Sequence, residues 1–167
     1  MKINKFLSQE KFKNVDAIQI NWEIYGDNDN ILYENKPINE RFILPSKLQS
    51  SYVKTIVKTN NLNFISLRIH YADIENGKFV YPNGDETKMW SCQPPNFEGA
   101  KIKHFYTKSL EEWIDRKCEK TNADGKDILN DTKRRLIEFF CYNEITKDKL
   151  EFIKQRIGED IYNKVMR

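Results

Sequence analysis

Apolar and polar positions divide this chain into two regimes. Up to about residue 108 the apolar residues fall in short runs with a period near two; beyond it they recur every three or four positions. Residues 17–25 alternate, with Ile18, Ile20, Trp22 and Ile24 on one side and Gln19, Asn21 and Glu23 on the other. That pattern predicts a half-buried strand, ended by the turn chemistry of Gly26-Asp27-Asn28-Asp29-Asn30. β-Branched and aromatic runs predict further strands over residues 52–58 and 64–71. Asn76-Gly77 predicts a hairpin into Phe79-Val80-Tyr81, and Pro82-Asn83-Gly84-Asp85 closes that strand. Ile3, Phe6, Leu7 and Phe12 predict a short amphipathic helix over residues 2–12. Residues 92–99 contain Pro94-Pro95 and are expected to be irregular.

The regimes meet at residues 102–113. Ile102 to Tyr106 reads as a short strand, and Ser109 with Glu112 reads as a capping box opening a helix. His104, one of two histidines in the chain, stands just before that turn. Polar groups at strand-to-helix turns are a common place for ligand chemistry. Leu110, Trp113, Ile114 and Lys117 form one helical face. Ile128, Leu129, Thr132, Leu136, Phe139 and Phe140 predict a second helix. Thr146 caps a third containing Leu150, Ile153 and Ile157, and Ile161 with Val165 marks a last short one. Strands first and helices last, without βαβ alternation, predict an α+β fold: a small mixed or antiparallel sheet followed by C-terminal helices, forming a single domain over 1–167. Its strand-rich part is 1–108 and its helical part 109–167.

Composition narrows the function classes. Of the 167 residues, 28 are Lys or Arg and 25 are Asp or Glu, for a net charge of +3. Lysines interleaved with acids make no basic footprint, so nucleic acid is not expected as a partner. No apolar run reaches the ~18 residues of a membrane span, and the N-terminus has no apolar core of a signal peptide. Cys92, Cys118 and Cys141 are odd in number and widely spaced. They predict free thiols in a reducing, cytoplasmic setting, with a peripheral place at the inner membrane face left open.

Taken in order, Phe6-Leu7, Ile20-Asn21-Trp22, Tyr25-Gly26, Pro37, Glu40-Arg41-Phe42, Lys54-Thr55-Ile56-Val57-Lys58 and His104-Phe105-Tyr106-Thr107-Lys108-Ser109 resemble the C-terminal half of bacterial GT-A-type glycosyltransferases, of the family 2-like and family 92-like kind. The resemblance spans residues 2–117. It implies a partial GT-A-like fold on the acceptor side of an enzyme that moves sugar from a nucleotide sugar to a glycan or lipid-linked acceptor. In that family a strand ending in Asp-x-Asp-Glu-Phe precedes these motifs and binds metal and donor. No such segment occurs here, so the resemblance implies a fragment whose nucleotide-binding half lies elsewhere and which is inactive alone.

The resemblance also implies roles. His104 would meet a divalent metal, Mn²⁺ or Mg²⁺, or the donor diphosphate, for which imidazole serves as neutral ligand or cationic donor; the alternative is a ring packed beside the sheet. Glu40 would be the base that takes the acceptor hydroxyl proton; the alternative is a surface pair with Arg41. Trp22 and Tyr25 would lie near the acceptor, although Trp22 shares its strand face with isoleucines and Tyr25 does not. Trp90 belongs to the same aromatic set. Lys54 and Lys108, with Lys58 and Lys103, would help neutralise a diphosphate, or else stand solvated at strand ends. Read from residues alone, Asp27 and Asp29 form an Asp-x-Asp after a strand, a weak metal motif, although Asp and Asn there are also ordinary turn residues. His70 joins His104 only if their strands are neighbours. The competing class is a non-enzymatic module that binds glycan or protein, and an open sheet edge would allow a homodimer.

Overall fold

A computed structural model describes residues 2–59, 65–67, 72–74, 76–88, 94–118 and 128–166, with backbone alone at 65–67, 73 and 128–130. His70, Trp90 and Cys92, and the ends of the strand expected over 64–71, lie outside the described residues. The chain is mixed α+β, as expected: a five-strand mixed sheet comes first and helices follow. It forms two compact units, each built from two stretches of chain. One comprises Met1–Glu23 and Gln49–Lys103; the other comprises Ile24–Leu48 and His104–Arg167. No helix among the described residues is long and apolar enough to cross a membrane.

The first unit opens with α1 (Ile3–Leu7) and a 3₁₀ turn at Glu10–Phe12. Phe6 and Phe12 are buried and stack at 5.0 Å, whereas Ile3 and Leu7 are exposed. Two of the four apolar positions of this amphipathic segment therefore face water. The core adds Val15, Ile18 and Val80. Strand β1 (Ala17–Tyr25) pairs antiparallel with β2 (Val53–Val57), from Ala17 opposite Val57 to Asn21 opposite Val53. It pairs parallel with β5 (Phe79–Val80), which runs antiparallel to β6 (Glu86–Thr87). Strand β7 (Ile102–Phe105) also pairs with β1. Strands β3 (Ile65–Leu67) and β4 (Ala72–Ile74) form a separate two-stranded sheet.

Two local expectations change. β1 is not half-buried, because Gln19, Asn21 and Glu23 are all buried. The strand has partners along both edges, and the segment before β7 covers its polar side. The Asn96 amide donates to Asn21 Oδ1 at 3.0 Å, and Lys101 Nζ meets Glu23 Oε1 at 2.6 Å. Buried polar groups held in this way satisfy their hydrogen-bonding capacity without water. The Asn76-Gly77 turn does form, with Asn76 at φ 54° and the Gly77 amide on the Ile74 carbonyl at 3.0 Å. It does not make the expected hairpin, because β4 pairs with β3 and β5 pairs with β1 and β6. The tight hairpin lies across Pro82–Asp85 instead, where Gly84 has φ 103°.

The second unit is mainly helical. It contains α2 (Ile38–Arg41), α3 (Leu110–Trp113), a wider π-type turn at Ile114–Cys118, α4 (Ile128–Tyr142), α5 (Lys147–Ile157) and α6 (Glu159–Val165). Ser109 and Glu112 make the expected capping box, and the Thr146 hydroxyl accepts from the Lys149 amide. The core is Leu110, Trp113, Ile114, Cys118, Leu136, Phe139, Ile153 and Val165. The buried indole of Trp113 stays satisfied because Nε1 donates to the Arg135 carbonyl at 2.9 Å.

Candidate functional site

The second unit gathers residues far apart in sequence around the start of α3. Glu112 Oε2 accepts from the Ser109 hydroxyl at 2.9 Å, while Arg41 Nη1 reaches the same oxygen at 2.7 Å and Nη2 reaches Oε1 at 3.4 Å. The Arg41 side chain is 5% exposed and that of Glu112 is 15% exposed. Burial alone would raise the Glu112 carboxyl; the bonds from Arg41 and Ser109 outweigh it and hold the group down at about 2. Lys108, in the left-handed region at φ 59°, brings its ammonium within 3.6 Å of Glu112 Oε1.

The chain after β1 is tied to the same helix start. The Leu110 amide donates to the Asn30 carbonyl and the Glu111 amide to the Ile31 carbonyl, at 3.1 and 2.9 Å. Glu111 Oε2 in turn accepts from the Tyr33 amide at 2.7 Å. Asn30 Nδ2 donates to the Arg41 carbonyl at 3.1 Å. Asn28, at φ 47°, accepts from the Ile43 and Leu44 amides and donates to the Leu44 carbonyl. Glu40 is exposed on α2 and lies within electrostatic reach of Lys36, which pairs with Glu34 at 2.8 Å.

Asp27 and Asp29 converge on a cation that belongs to the protein. Lys149 Nζ lies 2.7 Å from Asp27 Oδ2, 3.0 Å from Asp29 Oδ1 and 3.1 Å from the Glu144 carbonyl, and its side chain is 1% exposed. Burial pushes the Asp27 carboxyl up by more than Lys149 pulls it down. A cleft of about 250 Å³ borders this cluster, lined by Asp27, Asp29, Ser46, Lys47, Asn143 and Glu144. In the first unit a cleft of about 490 Å³ lies between the α1 segment and the ends of β1 and β2, lined by apolar residues such as Phe12 and Ile56 and by Lys13, Asp16 and Lys58.

The other expected site residues are placed as follows. His104 is half-buried with its ring 5.4 Å from Tyr106, whose hydroxyl donates to Glu138. Tyr25 is buried against Phe105 at 5.2 Å. Trp22 and Lys54 belong to the first unit and meet each other, with the ammonium 5.3 Å from the indole centroid. Lys58 donates to the Lys13 carbonyl, and Lys103 is exposed. Among the described residues no group of three or more His, Cys, Asp or Glu is placed to hold a metal ion, and the Asp27 and Asp29 carboxylates face Lys149.

Three residues of this site escape a linear reading. Glu112 carries a capping signal and none for its pairing with Arg41. Lys149 resembles any helix lysine. Tyr33 lies in a stretch without periodicity. Comparisons with protein-family models, with curated proteins and with solved structures each find no match to this chain.

Proposed function

We propose that this chain is the acceptor-side part of a glycosyltransferase that moves a sugar from a nucleotide sugar to a glycan or lipid-linked acceptor. One observation carries the reading. Glu40-Arg41-Phe42 and His104 to Ser109, about 70 residues apart and both part of the resemblance, are joined in the second unit by the Arg41–Glu112 pair. Tyr25-Gly26 leads into the Asn28 and Asn30 bonds that brace the same segment. In this proposal exposed Glu40 takes the proton of the acceptor hydroxyl as that oxygen bonds to the anomeric carbon, the bond from that carbon to the donor diphosphate breaks, and the nucleoside diphosphate leaves with the electron pair. His104 and Lys108 stand on the diphosphate side. The donor-binding carboxylates come from outside this chain, and no step here runs through a metal.

The test is saturation-transfer NMR of the chain with a panel of hexose- and N-acetylhexosamine-containing oligosaccharides, and separately with nucleotide sugars and Mn²⁺. The proposal expects transfer to an oligosaccharide and weak or no transfer to nucleotide sugars. Silence across the whole oligosaccharide panel at millimolar concentrations would sink it.

A further inference from the structure

We propose that the ring of Tyr33 is a stacking platform for one pyranose of the acceptor, an inference that rests on the acceptor-side reading above. Tyr33 is 52% exposed, yet it is held at three levels. Its amide is fixed by Glu111 Oε2 at 2.7 Å. The neighbouring Ile31 carbonyl is fixed by the Glu111 amide, and Ile31 packs against the core of the unit. One side of the ring is backed by the Arg41 guanidinium, 4.9 Å from its centroid, and that guanidinium is buried and bound twice to Glu112.

A ring backed on one face and half-exposed has its other face toward water. Sugars present patches of C–H on one side of the pyranose and hydroxyls around the rim. An aromatic face matches the first, and a fringe of carboxylate and amide acceptors matches the second. Here the fringe is Glu34 and Asn35, adjacent in sequence, with the Tyr33 hydroxyl itself 3.4 Å from Asn35 Oδ1. Because the backbone and the backing cation are already ordered, binding costs little further conformational freedom.

A competing role for Tyr33 is to shield the Arg41–Glu112 pair, and substitutions separate the two. For an oligosaccharide that binds the wild-type chain, Tyr33→Ala is expected to weaken affinity about tenfold, the size of one aromatic stacking contact. Tyr33→Trp and Tyr33→Phe are expected to keep most of it, and Tyr33→Leu, which still covers the pair, is expected to lose it. The saturation-transfer epitope should lie on the C–H protons of one face of a single pyranose. Binding retained in Tyr33→Ala, or restored in Tyr33→Leu, would remove the platform and leave the acceptor-side reading standing. Absence of oligosaccharide binding to the wild type would remove both. Thermal unfolding of each variant identifies any loss that reflects misfolding, and in that case Tyr33→Phe against Tyr33→Leu decides.

Discussion

Lys149 gives its ammonium three acceptors, Asp27, Asp29 and the Glu144 carbonyl, at 2.7 to 3.1 Å. An ammonium with this surrounding is satisfied, and the buried Asp27 carboxylate depends on it, whereas the Asp29 side chain is largely exposed to water. Lys149→Met should cost about 3–5 kcal/mol in denaturant unfolding, because it strands the Asp27 charge. Adding Asp27→Asn should recover part of that loss, and a double variant as unstable as the single one would contradict this account. Glu112 has a different signature. Its carboxyl is held at about 2 against an ordinary 4.5. The folded state therefore prefers the charged form, so the stabilisation is complete above pH 4.5 and is lost as pH falls toward 2. Glu112→Gln keeps the capping geometry but not the charge. The stability difference between wild type and Glu112→Gln should be on the order of 3 kcal/mol at neutral pH and shrink steadily through the acid window. A pH-independent difference would show that the ion pair is not its source. Neither pairing is legible in sequence, since nothing local in Arg41 or Lys149 distinguishes a buried cation from a solvated one.

Elements were legible wherever their signals are local. The Ser109–Glu112 box and the Thr146 cap form as the spacing predicts, because a cap is completed within four residues. Ser109→Ala should therefore cost about 1 kcal/mol by thermal or denaturant unfolding, and a neutral result would mean that Arg41 alone holds the α3 start. Gly26 was legible only as a turn residue. In the fold a Cβ there would lie 2.5 Å from Asn143 Oδ1 and 2.9 Å from the Tyr142 carbonyl. Asn143 Oδ1 also accepts from the Asp27 amide at 2.6 Å. Gly26→Ala should thus destabilise by about 1–3 kcal/mol, and amide exchange should rise first at Asp27 and around the end of α4. The hairpin at Asn76-Gly77 misled for the opposite reason: the turn is local, but which strand β5 pairs with is settled by β1, some sixty residues earlier.

On the molecular scale, the change of periodicity near residue 108 separates the strand-rich part of the chain from its helical part. The two compact units instead each combine an early and a late stretch, with divisions after Glu23, Leu48 and Lys103. Separate cores follow, around Phe6 and Phe12 in one unit and Trp113 and Phe139 in the other. Phe12→Ala and Trp113→Ala should each cost about 3–5 kcal/mol. In native-state hydrogen exchange each should first expose amides of its own unit. Identical exposure patterns from both variants would show one cooperative core.

The sequence alone determined the α+β class, the order of strands and helices, the caps and the turn chemistry, because each is set by neighbours within a few residues. It also carried the ordered motifs on which the glycosyltransferase proposal rests. The tertiary structure alone decided that Gln19, Asn21 and Glu23 are buried, that Lys149 sits among carboxylates, and that Arg41, Glu112 and Tyr33 form one braced cluster. Those outcomes depend on contacts 70 to 120 residues apart, where burial and charge pairing exist only once the chain has closed on itself.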